Sequence, residues 1–271
     1  SLHVNYRPRA NLVFRGAIWT SISRPEFQYV AASSSVTRDG ANNIIAISRG
    51  NPDLKPAEAL NFDLGAEWYS SNVGLASINF YYKDIENFIF TSNANETTQN
   101  VNGVEISQPE NGDKARLFGV EMGLQQQLRW LPDPYDGLGF ALNLTLQSSE
   151  AETGVAYRRG RKVDLINAPE IQGNASIFYE KHGFQARLAY NYNGKYIEDL
   201  RNNAVDKWVQ PWSRVDFQAR YTFENGLALT FDAQNLFDTH GYWATRGAHD
   251  GFQKDYVEAG RTFFLTASWR R

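Results

Sequence analysis

Residues with chemical capacity are sparse in this sequence. It has four histidines, His3, His182, His240 and His249, and no cysteine. No GxSxG, HExxH, phosphate-loop or cysteine-based metal motif occurs. His182 falls in a short turn, where solvation explains it. His240 and His249 share one long segment and could meet a ligand or a metal, but two histidines do not complete a metal site. Asp133 and Asp136 lack the further ligands of a calcium loop. Three segments remain in which aromatic rings and arginines sit together. Tyr242, Trp243, Arg246 and His249 lie in 239–254; Arg201, Trp208 and Trp212 in 199–211 and the strand start after it; Tyr157, Arg158, Arg159 and Arg161 in 151–167. Rings stack on sugars or catecholates, and guanidinium groups pair with anions. Of these residues, Tyr242, Trp243, Arg246, His249, Trp208, Trp212, Arg158, Arg159 and Arg161 are the candidate ligand contacts. For each of them the structural alternative is loop packing, or pairing with lipopolysaccharide phosphates. No cofactor and no resident metal is expected.

Binding residues of this kind need a rigid scaffold beneath their loops. The chain has 271 residues, mean hydropathy −0.50 and a net charge of −3, which argues against a nucleic-acid partner. No window of about 18 apolar residues exists, so no transmembrane helix is expected. A membrane β-barrel escapes that test, because lipid-facing and lumen-facing residues alternate. Aromatic content of 14% and the absence of cysteine suit such a barrel crossing an oxidising periplasm.

Period-two alternation runs through the chain. Leu138, Phe140, Leu142, Leu144 and Leu146 oppose Gly139, Ala141, Asn143, Thr145 and Gln147; Leu60–Trp68, Phe184–Tyr192 and Val215–Phe223 repeat the pattern. In the last strand Arg261 breaks it. About eleven strands are predicted, near 2–6, 12–22, 58–70, 74–90, 115–130, 137–150, 168–180, 183–198, 212–224, 226–238 and 255–269. Several are long enough for a tilted crossing, which takes about 9–11 residues. Short connections at 7–11, 71–73, 132–137, 180–183 and 224–226 alternate with long ones at 23–57, 91–114, 151–167, 199–211 and 239–254. A sandwich has no reason to alternate in this way, whereas an outer-membrane barrel has short periplasmic turns and long extracellular loops. Trp68, Trp130, Tyr179, Phe223 and Trp269 all fall on the apolar parity beside the short turns, as a lower aromatic girdle would.

The directions of these strands make the first and last parallel, and their number is odd. A closed antiparallel barrel satisfies neither condition. The expectation is therefore an all-β, antiparallel transmembrane barrel in which residues 1–271 supply about eleven strands, the C-terminal half of a 22-stranded barrel. The start SLHVNYRPRA shows no signal peptide, which a cleaved leader or an internal start would explain.

Several segments resemble TonB-dependent receptors of the Gram-negative outer membrane. Gly50-Asn51-Pro52-Asp53-Leu54-Lys55-Pro56-Ala57-Glu58 is similar to that family's loop-to-strand transition. Gln234-Asn235-Leu236-Phe237-Asp238 resembles the end of its penultimate strand, and Gly260–Trp269 its terminal strand with the late aromatic. Ser21-Ile22-Ser23-Arg24-Pro25 and Tyr82-Lys83-Asp84-Ile85 fit as well. The resemblance spans the chain and is nearest to the branch of Xanthomonas- and Caulobacter-like bacteria. Two departures stand out: Arg270-Arg271 follow the late aromatic, and nothing resembles the N-terminal plug or its TonB-contacting box.

The resemblance implies an outer-membrane receptor, not an enzyme, that captures a scarce bulky solute for TonB-energised uptake. An oligosaccharide is the solute suggested by that branch, with a ferric siderophore as competitor. Implied partners are outer-membrane lipid and lipopolysaccharide, the small-molecule solute, and TonB through a plug lying outside this chain. A passive porin is the alternative. A barrel lipase ranks lower, because it needs a Ser/His pair on the outer wall and His182 sits at the wrong end. A plug-like domain upstream in the full-length gene would favour the receptor over the porin.

Overall fold

The computed structural model describes residues 1–70, 73–92, 104–154, 158, 160–200, 206–246 and 252–270, with backbone alone at 92, 105, 245–246 and 252–254. Its elements begin with β1 (Leu2–Arg9), β2 (Leu12–Ser23), a one-turn helix α1 (Phe27–Val30), β3 (Ser34–Arg38), β4 (Ile44–Arg49), β5 (Ala57–Ser70) and β6 (Gly74–Glu86). Next come β7 (Ile89–Ser92), β8 (Glu105–Asn111), β9 (Lys114–Gln127), β10 (Leu138–Glu152), β11 (Ile171–Lys181) and β12 (Phe184–Asn193). The chain continues through β13 (Tyr196–Asp199), β14 (Asp206–Val209), β15 (Trp212–Thr222), β16 (Leu227–Gln234), β17 (Gly241–Arg246), β18 (Phe252–Val257) and β19 (Thr262–Trp269). Eleven strands form one sheet in the order β1-β2-β5-β6-β9-β10-β11-β12-β15-β16-β19, every pair antiparallel.

Register follows the alternation of side chains. Directly paired residues share a face, so one outward row runs Leu12–Trp68–Ala76–Leu124–Leu142. A second runs Ile18–Phe62–Tyr82–Phe118. The opposite face carries Arg15, Asn61, Asp63, Glu67, Asn143 and Asn174. Arg15 donates to both oxygens of Glu67, at 2.8 and 3.1 Å, and Asn143 donates to Asn174 at 3.2 Å. An apolar outer face and a hydrogen-bonded polar inner face are what a barrel wall needs.

Short turns hold the register at one end. Lys181 pairs with Phe184, leaving His182 and Gly183 as the loop, with φ of 53° and 75°. Two successive positive φ values describe a type I′ hairpin, whose twist matches the strands it joins; His182 therefore serves the turn. At the next turn Gly226 has φ 83°, and the Asn225 side chain accepts from the Leu227 amide at 3.0 Å. Of the five girdle residues, Trp68, Tyr179 and Trp269 lie on outward parity at this end, and Phe223 directly follows β15. Trp130 sits beyond β9, in the turn, and is exposed.

Strand boundaries differ from the sequence expectation at instructive points. The first strand covers Leu2–Arg9 rather than a stub at 2–6, leaving a two-residue turn between Arg9 and its partner Leu12. The strand expected at 74–90 ends at Glu86; Asn87 turns with φ 55°, and β7 joins another sheet. Likewise 183–198 divides into β12 and β13, and 255–269 into β18 and β19 around Gly260, φ 69°. Arg261 thus precedes β19, which removes the apparent break in that strand's alternation. Four of the five long connections contribute strands of their own among the described residues, the exception being 151–167. They form two four-stranded sheets, β3-β4-β8-β7 and β13-β14-β17-β18, and in the first β4 and β8 run parallel.

Among the described residues β1 pairs only with β2 and β19 only with β16. No ladder joins 12–22 to 255–269, so the chain does not close on itself as a small ten-stranded barrel.

Candidate functional site at the loop end

The loop sheets are held down by a small apolar cluster of Phe88, Phe90, Ala115, Ala151, Ile197 and Leu200. Ala115 pairs with Ala151 on the inner parity of β9 and β10. The loops therefore pack over the lumen side of the wall rather than standing clear of it. Arg158 is buried at 3% exposure. Its guanidinium makes two hydrogen bonds to the Asp206 carboxylate, one of 3.0 Å, and so ties the 151–167 segment to the start of β14.

In β14, Trp208 pairs with Ile197 on one side and Ala244 on the other. It packs against the apolar cluster, with the Lys195 ammonium 5.6 Å from its ring centre. One residue from Ala244, the Trp243 indole donates to Glu198 Oε1 at 3.2 Å, and Lys207 lies 5.6 Å above its ring. Lys207 in turn pairs with Glu198 at 2.7 Å. Trp243 and Trp212 line one cavity of about 220 Å³ with Tyr196, Val209, Arg214 and His240. The Arg214 guanidinium is 5.8 Å from the Trp212 ring centre. Burial, reinforced by Glu198, raises the Tyr196 hydroxyl's pKa, so it stays a neutral donor at physiological pH. His240 Nδ1 is buried with no hydrogen-bond partner among the described residues.

Tyr242 lies on the other face, half exposed, stacked 6.3 Å from Tyr256 and edge-on to His240 at 6.5 Å. Arg161 is exposed, and its amide donates to the Arg158 carbonyl. The Arg246 backbone pairs with Asp206. Arg159 and His249, with Tyr157 and Arg201, lie outside the described residues. The structure thus joins Trp212 to Trp243, sets Trp208 into the packing beneath them and gives Arg158 to an ion pair.

Sequence reasoning missed Tyr196, Arg214 and the lysines over the indoles, because their partners are distant in the chain. It also missed a second cavity, of about 330 Å³, beside β4 and β8, lined by Tyr29, Ser35, Arg49 and Ser107. There Arg49 donates to Gln108 at 3.1 Å, and burial raises the Glu110 carboxyl's pKa against the opposing pull of Arg49. None of these groups forms a set of acids and histidines able to hold a metal ion among the described residues.

Residues 1–236 match the family model described as TonB dependent receptor-like, beta-barrel. The chain belongs to this family. Family members are transport receptors rather than enzymes, and their barrels sit in the Gram-negative outer membrane. An iron-regulated outer membrane virulence protein of Vibrio cholerae is 24% identical over 258 residues, 93% of this chain and 36% of that protein. A probable TonB-dependent siderophore receptor, PiuA, of Acinetobacter baumannii is 20% identical, covering 98% of this chain and 33% of that receptor. Among solved structures, the ferric enterobactin receptor of Pseudomonas aeruginosa superposes with a TM-score of 0.64 at 18% identity, over 98% of this chain and 39% of that one. The copper transporter OprC superposes with a TM-score of 0.67 at 14% identity, over 98% and 38%. The chain spans about a third of the length of its curated relatives. In this family the turn end faces the periplasm and the loop end the exterior.

Proposed function

We propose that this chain forms part of the wall and outer mouth of a receptor that captures a bulky metal chelate, of the ferric siderophore class, for TonB-energised uptake. The observation that carries the reading is the mouth cavity. It sets two indole faces, a tyrosine hydroxyl, an imidazole and the Arg214 cation around one space. Such a surface stacks on flat catecholate rings and offsets the negative charge of the chelate. The curated relatives agree in kind: one is named for iron regulation, one for siderophore reception and others for vitamin B12 transport. Trp212, Trp243, Tyr196 and Arg214 are the proposed contacts in this cavity, Tyr242 and Arg246 are proposed contacts outside it, and Arg158 and Trp208 are proposed to support the loop sheet.

The eleven strands are proposed as the C-terminal half of a 22-stranded wall. Among the described residues both edge strands carry unpaired backbone groups, which cost several kcal/mol each in hydrocarbon, and this supports a barrel closed by further strands. TonB is proposed to act through an N-terminal plug outside this chain. An oligosaccharide is the second reading, because sugars stack on the same indole faces. Competition for binding separates the two. The receptor with Trp212→Ala and Trp243→Ala is expected to lose affinity for a ferric catecholate chelate by tenfold or more, about 2 kcal/mol for a buried aromatic contact. Displacement by an oligosaccharide instead of the chelate would replace the siderophore reading.

A further inference from the structure

The lumen face carries a distinct patch beneath the mouth. Register takes one inward row from Asn143 of β10 through Asn174 of β11 and Asn191 of β12 to Arg214 of β15. The next row toward the loop end is Thr145–Gln172–Asn193–Trp212. Between β10 and β12 these two rows hold only neutral polar side chains, one threonine and otherwise carboxamides. Carboxylates flank the patch at two corners. Glu121 stands beside Thr145, and Asp216 lies one row below Arg214, where the Asn235 backbone amide donates to it at 2.9 Å.

Both rows end on the mouth cavity, because Trp212 and Arg214 also line it. The carboxamides satisfy one another only in part. Asn143 donates to Asn174 Oδ1 at 3.2 Å, Gln172 donates to Asn193 Oδ1 at 2.8 Å, and Asn193 donates to the Gly194 carbonyl at 3.1 Å. The Asn191 side chain has no hydrogen-bond partner among the described residues. The row below, Ala141–Ser176–Ala189, is small, so the carboxamides stand proud of the wall. Elsewhere the same face is wetted by charges, as at Arg15 and Glu67. Here it presents groups that both donate and accept and carry no charge.

We propose that this carboxamide ladder binds an uncharged, hydrogen-bonding arm of the solute, built of amides or hydroxyls, while the anionic metal-binding head sits against Trp212, Trp243 and Arg214. The inference rests on the chelate reading above and narrows the class of chelate. The head takes the ring faces and the cation. The arm runs from Arg214 across β12 and β11 toward Asn143, three strand spacings or about 14 Å. Along that line each carboxamide offers an NH₂ donor group and a carbonyl acceptor, so an amide or a hydroxyl finds a partner in either sense. A carboxylate-bearing arm would meet Glu121 and Asp216 at the corners. An alkyl arm would strip water from the carboxamides without replacing its hydrogen bonds. The ladder thus selects among chelates that share one head.

The test is calorimetric titration of the full-length receptor with ferric catecholate chelates that share one head. The head is left bare or extended by an amide, a polyhydroxyl or an alkyl arm of about 14 Å. Heat-modifiable gel migration confirms that each barrel is folded. The amide or the polyhydroxyl arm is expected to tighten binding about tenfold over the bare head, as two neutral hydrogen bonds would, and the better of the two identifies the arm's chemistry. Asn174→Ala with Asn191→Ala brings that ratio toward one. Asn191→Leu alone, similar in size, lowers it about threefold. An arm that adds nothing, an alkyl arm that gains as much, or a ratio unchanged in either folded variant overturns the inference and leaves the chelate reading standing. Failure of every chelate to bind the unaltered receptor overturns the chelate reading, and this inference with it.

Discussion

Replacing Arg158 by alanine tests how the mouth is held together. The guanidinium is 3% exposed and the Asp206 carboxylate 9%, with one hydrogen bond of 3.0 Å and a second alongside it. Removing one partner of such a pair leaves a buried carboxylate without its counter-charge, at a cost of about 3–5 kcal/mol. The cost falls on the loop sheet rather than on the eleven-stranded wall, because Asp206 opens β14 and pairs there with the Arg246 backbone. At 1.36 kcal/mol per tenfold, local opening of β14 and β17 should rise by at least about a hundredfold. Hydrogen exchange reads this directly: the amides of Trp208 and Ala244 should lose protection while those of β9 and β10 keep theirs. Arg158→Met with Asp206→Leu removes both charges together and should restore most of the protection, since a buried pair exchanged for apolar groups is near neutral. Unchanged exchange in Arg158→Ala would show that the pair does not organise the mouth.

Three further outcomes follow from the wall and the loops. Trp68, Trp130 and Trp269 should be quenched more strongly by lipids brominated near the headgroup than by lipids brominated at mid-chain, with the reverse order placing them away from the interface. Gly119→Val should destabilise the wall by about 1–3 kcal/mol in urea-monitored unfolding, because its Cβ would stand 2.3 Å from the Tyr81 ring; no change would mean that Tyr81 moves freely despite its 2.7 Å bond to Gln147. Burial raises the Glu110 pKa, so its protonated form favours the folded loop; that stabilisation is full below the ordinary carboxylate range and is lost as pH rises through the raised value. Exchange of the Phe90 amide should therefore show greater intrinsic protection on acidification from neutral pH, and Glu110→Gln should flatten the dependence.

Much of the wall was legible in the sequence because its information is local. The Leu138–Gln147 alternation reappears without a shift in the pairing of β10 with β9 and β11. Turn residues such as His182-Gly183 were equally readable from their preference for positive φ. The breaks at Asn87 and Gly260 were not, since apolar parity continues through Phe88 and Phe90 while the chain turns into another sheet. The loop sheets were hidden for a related reason: their strands are only four to seven residues long, and the pairs that assemble the local hairpins into sheets, β4 with β8 and β14 with β17, join segments far apart in the chain. The candidate site shows the same divide. Trp243 and Trp212 were visible as aromatics in long loops and do share a cavity. The fate of Arg158 was not visible, because its partner Asp206 lies 48 residues on. Nor did alternation alone show that Lys114 and Arg116 stand beside the acids of β6 and β10.

The deciding measurement is uptake of a radiolabelled ferric catecholate chelate by cells carrying the full-length receptor, with and without TonB. Saturable accumulation that requires TonB is expected, falling by about tenfold or more in Trp212→Ala with Trp243→Ala at limiting chelate. Entry that proceeds without TonB and rises in proportion to external concentration would contradict it and make the barrel a passive pore.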